Sequence, residues 1–444
     1  MANNAHLMAV RDRVLAEMAK ADFAGADPFD GLESRLFRKS GLMGFRMARL
    51  AWLQAIKRGP GWLRSLAMIP PLRNGKTLAL LQGAAGGVGL CDFRAELVAL
   101  QNDDGGWGYP FAWQARAFYA KRGQSNAIVT SFVVDALMAS GMAADDPVMG
   151  RAAVFLSRLW RDGFFAYLDH SDAEIHNASL WAAWALHRID PANRLIGSAV
   201  NRVLAAQNPD GSWAYGTRSH HRFIDGFHTG YVLDLLDRFR RAGDGGMAGL
   251  DKAIGRGYGF YRAKCFDGDG FPQSFAGRDG YVDCHAVAQS IASLCRFGEA
   301  AEAKRIADWA IETLFDANRG VFYAGSGRFG PDRRVYMRWT QAWMVWALSI
   351  VIEKTAMIDA FDPTMPLIFS HPDPARPAKE DALRVLSEGA FRELFHVTRI
   401  EAQKMRASGD MEALYGLTRG LKTLQRIGGD RGIVLNARRS KVAL

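Results

Sequence analysis

The sequence predicts an all-α fold: an (α/α) toroid of about six helical hairpins, with a helical extension at its C-terminal end. Three observations predict it. One loop motif recurs along the 444 residues. Each interval between copies holds two helical patterns, and no strand-type alternation of apolar and polar residues runs through them.

The motif reads Gln101-Asn102-Asp103-Asp104-Gly105-Gly106-Trp107 in its first copy and Gln207-Asn208-Pro209-Asp210-Gly211-Ser212-Trp213 in its second. Weaker copies centre on Phe164, Phe271 and Phe322. Asn and Asp favour turns, Gly supplies positive φ, and the aromatic ring can drop between neighbouring hairpins as a clamp. A lone hairpin cannot bury both faces of its helices, whereas hairpins stacked around a circle can.

The helices follow in order. Residues 127–140 and 147–160 fill the first interval, 174–188 and 192–207 the second, and 225–240 and 252–264 the third. Residues 281–297, 300–315 and 337–353 complete the series, with 46–57 and 63–82 available to close the ring. We place the toroid at 1–370, with 1–45 as a helical lead-in. Residues 371–444 form the extension, in which the Pro-rich stretch 371–379 reads as a linker. Two helices (380–407, 411–426) and a frayed basic end follow. This tail has three candidate roles: capping the ring, dimerisation, or contact with anionic lipid.

Composition is that of a globular protein, 49% hydrophobic and 23% charged, with a net charge of +10. The charge favours anionic partners, but no nucleic-acid-binding signature accompanies it, so no nucleic acid is expected. The four cysteines form no CxxC pair, which suits a reducing compartment. The first 22 residues read as a charged amphipathic helix rather than a signal peptide. A cytoplasmic protein is expected, with peripheral contact to the inner membrane face left open.

In such a ring, polar side chains at the starts of inner helices need a partner or serve a ligand. Asp225 and His228 lie three apart and share a helix face, as do His285 and Gln289 at four apart, and Arg338 and Gln341 at three. A carboxylate beside an imidazole is what general acid–base chemistry needs. Asp225 with His228, and Asp283 with His285, are therefore the candidate catalytic pairs. Asp225 and Asp283 also suit helix N-caps. Arg338 is the candidate for holding an anion, because a buried Arg needs a carboxylate or an acidic ligand. Asn177, Tyr231, Gln289 and Gln341 are candidate ligand contacts, and Trp107, Trp181 and Trp343 candidate stacking surfaces. No cofactor is expected. Asp283, His285 and His228 are the residues from which a zinc site would have to be built, without a strong ligand spacing among them.

The loops around Trp107 and Trp213 resemble the Gln-Trp repeats of the terpenoid cyclase and protein prenyltransferase superfamily. Asp225-Gly226-Phe227-His228-Thr229-Gly230-Tyr231 resembles the zinc-binding His segment of prenyltransferase β subunits, and Val282-Asp283-Cys284-His285 their Asp/Cys segment. Here the two segments run in the opposite order, and no Asp-x-Asp-Asp cyclase acid is present. A second resemblance runs from about residue 27 to 353. Asp27-Pro28-Phe29-Asp30-Gly31-Leu32, Leu50–Gln54, Lys57-Arg58, Asn74-Gly75-Lys76, Phe227–Gly230, Asp283–His285 and Arg338–Trp343 are similar to a bacterial family linked to exopolysaccharide and capsule biosynthesis. That resemblance implies a toroid with a role in surface polysaccharide production.

The leading expectation is a carbohydrate-active enzyme, epimerase-, lyase- or hydrolase-like, acting on a saccharide or lipid-linked saccharide. The alternatives are an isoprenoid-acting enzyme and a non-catalytic binding or scaffold protein of polysaccharide assembly.

Overall fold

The computed structural model describes residues 4–83, 91–116, 118–243, 249–278, 280–359, 365–370, 373, 376–386, 388–433 and 435. Part of the expected linker and the basic end beyond 435 lie outside them. The chain divides into two units. The larger comprises His6–Ser293 and Arg305–Ile350; the smaller comprises Met1–Ala5, Leu294–Lys304 and Val351–Leu444.

The helices are α1 (Ala5–Lys20), α2 (Arg35–Lys39), α3 (Arg46–Arg58), α4 (Gly61–Leu66), α5 (Gly75–Gln82), α6 (Arg94–Ala99), α7 (Ala127–Ala139), α8 (Pro147–Arg158) and α9 (His176–Ile189). There follow α10 (Leu195–Ala205), α11 (Gly226–Ala242), α12 (Leu250–Lys264), α13 (Cys284–Arg296), α14 (Ala300–Leu314), α15 (Trp343–Asp359), α16 (Arg376–Val385), α17 (Glu388–Ser408) and α18 (Met411–Asp430).

Within the larger unit the inner helices close a circle. Helix α5 packs on α7, α7 on α9, and α9 on α11. The Tyr231 hydroxyl, 2.7 Å from His285 Nε2, joins α11 to α13. The His285 ring stacks on Trp343 of α15, and the turn entering α15 packs back on α5. The fold is therefore an all-α toroid, with six inner helices alternating along the chain with α6, α8, α10, α12 and α14.

Burial follows from this placement. Every residue of α9 from His176 to His187 is buried, as an inner helix requires. Outer helix α8 buries a single stripe: Val148, Met149, Ala152, Phe155 and Leu156. Short paired strands of two or three residues, such as Trp160–Arg161 with Phe164–Phe165, pin the loops between helices. They are too short to leave a period in the sequence.

The repeated loop is a clamp, and its parts do the same work in both clear copies. Trp107 Nε1 donates to the Leu97 carbonyl at 2.7 Å, and Trp213 Nε1 to that of Val203 at 2.9 Å. Gln101 Nε2 bridges the Gly105 and Val148 carbonyls; Gln207 Nε2 bridges those of Gly211 and Ala253. Gly105 and Gly211 take φ values of 88° and 93° to turn each loop, where a side chain would be strained.

The smaller unit has its own core, built from Leu367, Phe369, Leu383, Phe391, Leu394, Leu424 and Ile427. There α18 packs on both α16 and α17. No helix of the described residues is long and apolar enough to cross a membrane.

Candidate active site

The inner helices of the larger unit point their N-termini at one cavity of about 510 Å³. Each contributes from at or beside its first turn: Lys76 from α5, Ile128 from α7, Asn177 from α9, His228 from α11 and His285 from α13. The last inner helix does so through a π turn, Met337–Ala342, which brings Arg338 and Trp339 to the wall. Local sequence explains the geometry. Asn74, Asn126 and Asp225 each cap their helix by accepting a backbone N–H, so the entering chain is held at the cavity rim. Of twenty-four lining residues, twelve are Phe, Tyr or Trp, so the wall is mainly aromatic.

Asp225 and His228 form a dyad. Asp225 Oδ1 accepts the His228 backbone N–H at 2.8 Å, and Oδ2 lies 2.7 Å from His228 Nδ1. A carboxylate there requires the proton on Nδ1, which leaves Nε2 as a base. No hydrogen bond to Nε2 is formed among the described residues, and the side chain is 19% exposed. One carboxylate thus caps the helix with one oxygen and sets the His228 tautomer with the other.

The second expected pair is not a pair. Asp283 Oδ1 accepts the His285 backbone N–H at 2.9 Å, and both carboxylate oxygens accept from Trp339 Nε1 at 2.9 and 3.1 Å. Burial pushes the Asp283 carboxyl up to about 6, against the Trp339 hydrogen bond. The His285 ring instead meets the Tyr231 hydroxyl. Burial first, then Lys76, Arg338 and His228, hold its pKa well below the usual histidine range. His285 Nδ1 and Asn177 Oδ1 are buried without a hydrogen-bond partner among the described residues.

Arg338 also departs from expectation. Its guanidinium grips Asp27 in a bidentate pair, Nε to Oδ2 at 2.6 Å and Nη2 to Oδ1 at 2.9 Å, and both side chains are buried. The anion it was expected to hold is already supplied by the protein. Lys76 is a buried cation of the cavity wall. It is 3% exposed, and its Nζ lies 3.8 Å from the Phe132 ring centroid, 5.3 Å from that of Trp343 and 5.9 Å from that of Tyr231. No ion pair to it forms among the described residues. Burial, then Arg338, lowers its pKa well below the usual lysine value.

Five expected ligand contacts stand behind the wall. Trp107 is spent on its clamp. Trp181 stacks on Phe132, and Trp343 backs the His285 ring. Gln289 bonds Ser293, and Gln341 holds both the N–H and the carbonyl of Phe322. Asn177 and Tyr231 do line the cavity. The candidate zinc residues do not gather: His228 Nδ1 is committed to Asp225, His285 Nε2 to Tyr231 and Asp283 to Trp339. Among the described residues no three His, Cys, Asp or Glu are grouped to hold a metal.

Sequence reasoning missed Lys76 and three tyrosines, Tyr109, Tyr167 and Tyr215. Tyr109 and Tyr215 sit two residues beyond Trp107 and Trp213, so the two clear copies carried the signal; Tyr167 sits two beyond the fully buried Phe165, one residue later than the expected centre at Phe164. Burial raises all three phenols, which keeps their hydroxyls protonated.

No family model matches the chain, and no curated protein sequence does. Among solved structures it is similar to a D-mannose isomerase, with TM-score 0.47 and 12% identity over 63% of this chain and 88% of that one. Cellobiose 2-epimerase from Bacillus thermoamylovorans B4167 gives the same figures. ent-Copalyl diphosphate synthase from Streptomyces platensis gives TM-score 0.46 and 16% identity over 79% and 68%. These proteins carry out different reactions and point to no single one here. The class the fold and site define is an α/α toroid with an aromatic central cavity.

Proposed function

We propose that the cavity is an acid–base active site for a saccharide bearing a negative charge, and that the reaction begins with removal of a proton from carbon. The observation that carries this reading is the dyad: His228 Nδ1 lies 2.7 Å from Asp225 Oδ2 on the cavity wall, with Nε2 unbonded. His228 Nε2 takes the proton from the carbon beside a sugar carboxylate. The electron pair moves into the carboxylate, and Lys76 offsets the added charge. The Tyr231–His285 pair shares a proton that can be returned. Its delivery to the opposite face of the carbon inverts that centre; its delivery instead to the oxygen of the neighbouring substituent expels that group as an alcohol or water and leaves an unsaturated sugar. Epimerase and lyase chemistry are thus favoured over hydrolysis, because the two carboxylates that hydrolysis would use, Asp225 and Asp283, are each committed to protein donors. The aromatic wall supplies stacking faces for sugar rings. The resemblance running from Asp27 to about residue 353 supports a setting in surface polysaccharide production.

The test is isotope exchange. Oligosaccharides containing glucuronate, galacturonate or mannuronate, with neutral counterparts, are incubated with the enzyme in D₂O and followed by proton NMR. Exchange or elimination is expected with an acidic member and not with its neutral counterpart. His228→Gln should lower the rate by about 10²–10⁴-fold. No reaction with any acidic saccharide, or an unaffected variant, overturns the reading.

The aromatic wall also favours a second reading, an isoprenoid-acting enzyme, because aromatic faces stabilise cationic intermediates. It predicts that farnesyl diphosphate binds in the cavity and that uronates do not, which calorimetry separates.

A further inference from the structure

We propose that the segment 35–68, which spans α2 to α4, is a docking surface for an anionic membrane. The sequence of this segment contains eight Lys or Arg residues and no Asp or Glu. Among the described residues only Arg38 and Arg64 of these pair with carboxylates, Glu33 and Asp30. Arg35, Lys39, Arg46 and Arg58 are exposed.

The same segment exposes large apolar side chains. Leu36, Leu42, Phe45 and Met47 are 45%, 44%, 66% and 70% exposed. Trp62, Leu66 and Met68 are 65%, 61% and 44% exposed. The elements that carry these residues are joined in space. The Arg35 N–H donates to the Met68 carbonyl, Ser34 Oγ donates to the Ala67 carbonyl, and the turn Leu42–Gly44 packs on both α2 and α3. Scattered exposed apolar residues need no explanation, but a cluster rimmed by charge marks an interaction surface. Apolar side chains interleaved with unpaired cations and free of carboxylates match a bilayer interface with anionic headgroups. A neutral protein partner would not require that charge bias.

The surface adjoins the cavity. Lys57 and Arg58, at the end of α3, line it, and Trp62 follows in α4. A second rim element, the hairpin Gly325–Gly327 with Gly330–Asp332, carries Phe329 fully exposed at its tip. Docking would bring the cavity mouth to the headgroups, where a saccharide attached to a membrane lipid is presented. This last step rests on the saccharide reading of the cavity; the docking itself does not.

The test is cosedimentation of the full chain with vesicles of phosphatidylcholine, with or without about one-third phosphatidylglycerol. Binding is expected to the anionic vesicles and to weaken with added salt. Phe45→Ser with Met47→Ser, and separately Arg46→Glu, should each lower the bound fraction about tenfold. Unchanged circular dichroism would show that these surface variants fold. His228→Gln should bind vesicles like wild type, so failure of the saccharide reading is distinguishable from failure of docking. Equal binding to neutral vesicles, no binding to either, or dimers dispersed by the same variants in the absence of lipid would overturn the proposal. The last result would identify the patch as a protein interface instead.

Discussion

Lys76 and Arg338 are both buried cations beside one cavity, and their partners separate them. Arg338 grips a carboxylate in Asp27; Lys76 forms no ion pair among the described residues and sits against aromatic faces. Burying an amine without an ion pair is costly, so keeping a lysine there implies a use outside stability. Lys76→Met should therefore leave the empty protein equally stable or more stable by roughly 1–3 kcal/mol in urea unfolding. It should also abolish any preference for acidic over neutral ligands. In the wild type, affinity for an acidic ligand should fall as rising pH removes the Lys76 proton, at a pH below the ordinary lysine range. Asp283 gives a second pH signature. Its folded pKa of about 6 lies above the ordinary carboxyl value, so between pH 4 and 6 the folded state binds more protons than the unfolded state. Its contribution favours folding in acid and is lost as pH rises through 6. Asp283→Asn should remove that loss, worth about 2 kcal/mol, in unfolding curves measured at pH 4 and 7. At this scale the sequence was a partial guide. The spacing of Asp225 and His228 revealed their dyad because both lie on one helix turn. The Asp27–Arg338 pair joins residues 311 apart, and no local pattern encodes it.

At the scale of elements, the clamps and the π turn position the site. Trp107 is 1% exposed and carries both packing and a hydrogen bond to Leu97. Trp107→Ala should cost about 3–5 kcal/mol, and Trp107→Phe, which keeps most of the ring, roughly 1–2 kcal/mol. Neither changes a residue lining the cavity, so ligand affinity at temperatures where the variants stay folded should be little altered. Calorimetry beside thermal unfolding checks both statements. The inner helices were legible because their apolar residues recur at helical spacing, and the loops because Gly and Asn mark them. The π turn at 337–342 was not, because one inserted residue leaves no period of its own.

At the scale of the whole molecule, the toroid was readable because a repeat enforces it: hairpins with two apolar faces have few ways to bury both except around a circle. The cavity follows from the same construction, since inner helices that start together bring their polar first turns together. Its ligand does not follow, because aromatic walls accept sugar rings and isoprenoids alike. In the proposed reaction His228, set by Asp225, removes a proton from carbon in an acidic sugar. The direct measurement is deuterium uptake from D₂O into uronate oligosaccharides by the wild type and by His228→Gln. Incorporation at the carbon beside the carboxylate, lost in the variant while ligand binding persists, is the predicted result. Uptake that survives in His228→Gln, or no uptake or elimination with any uronate, would contradict it.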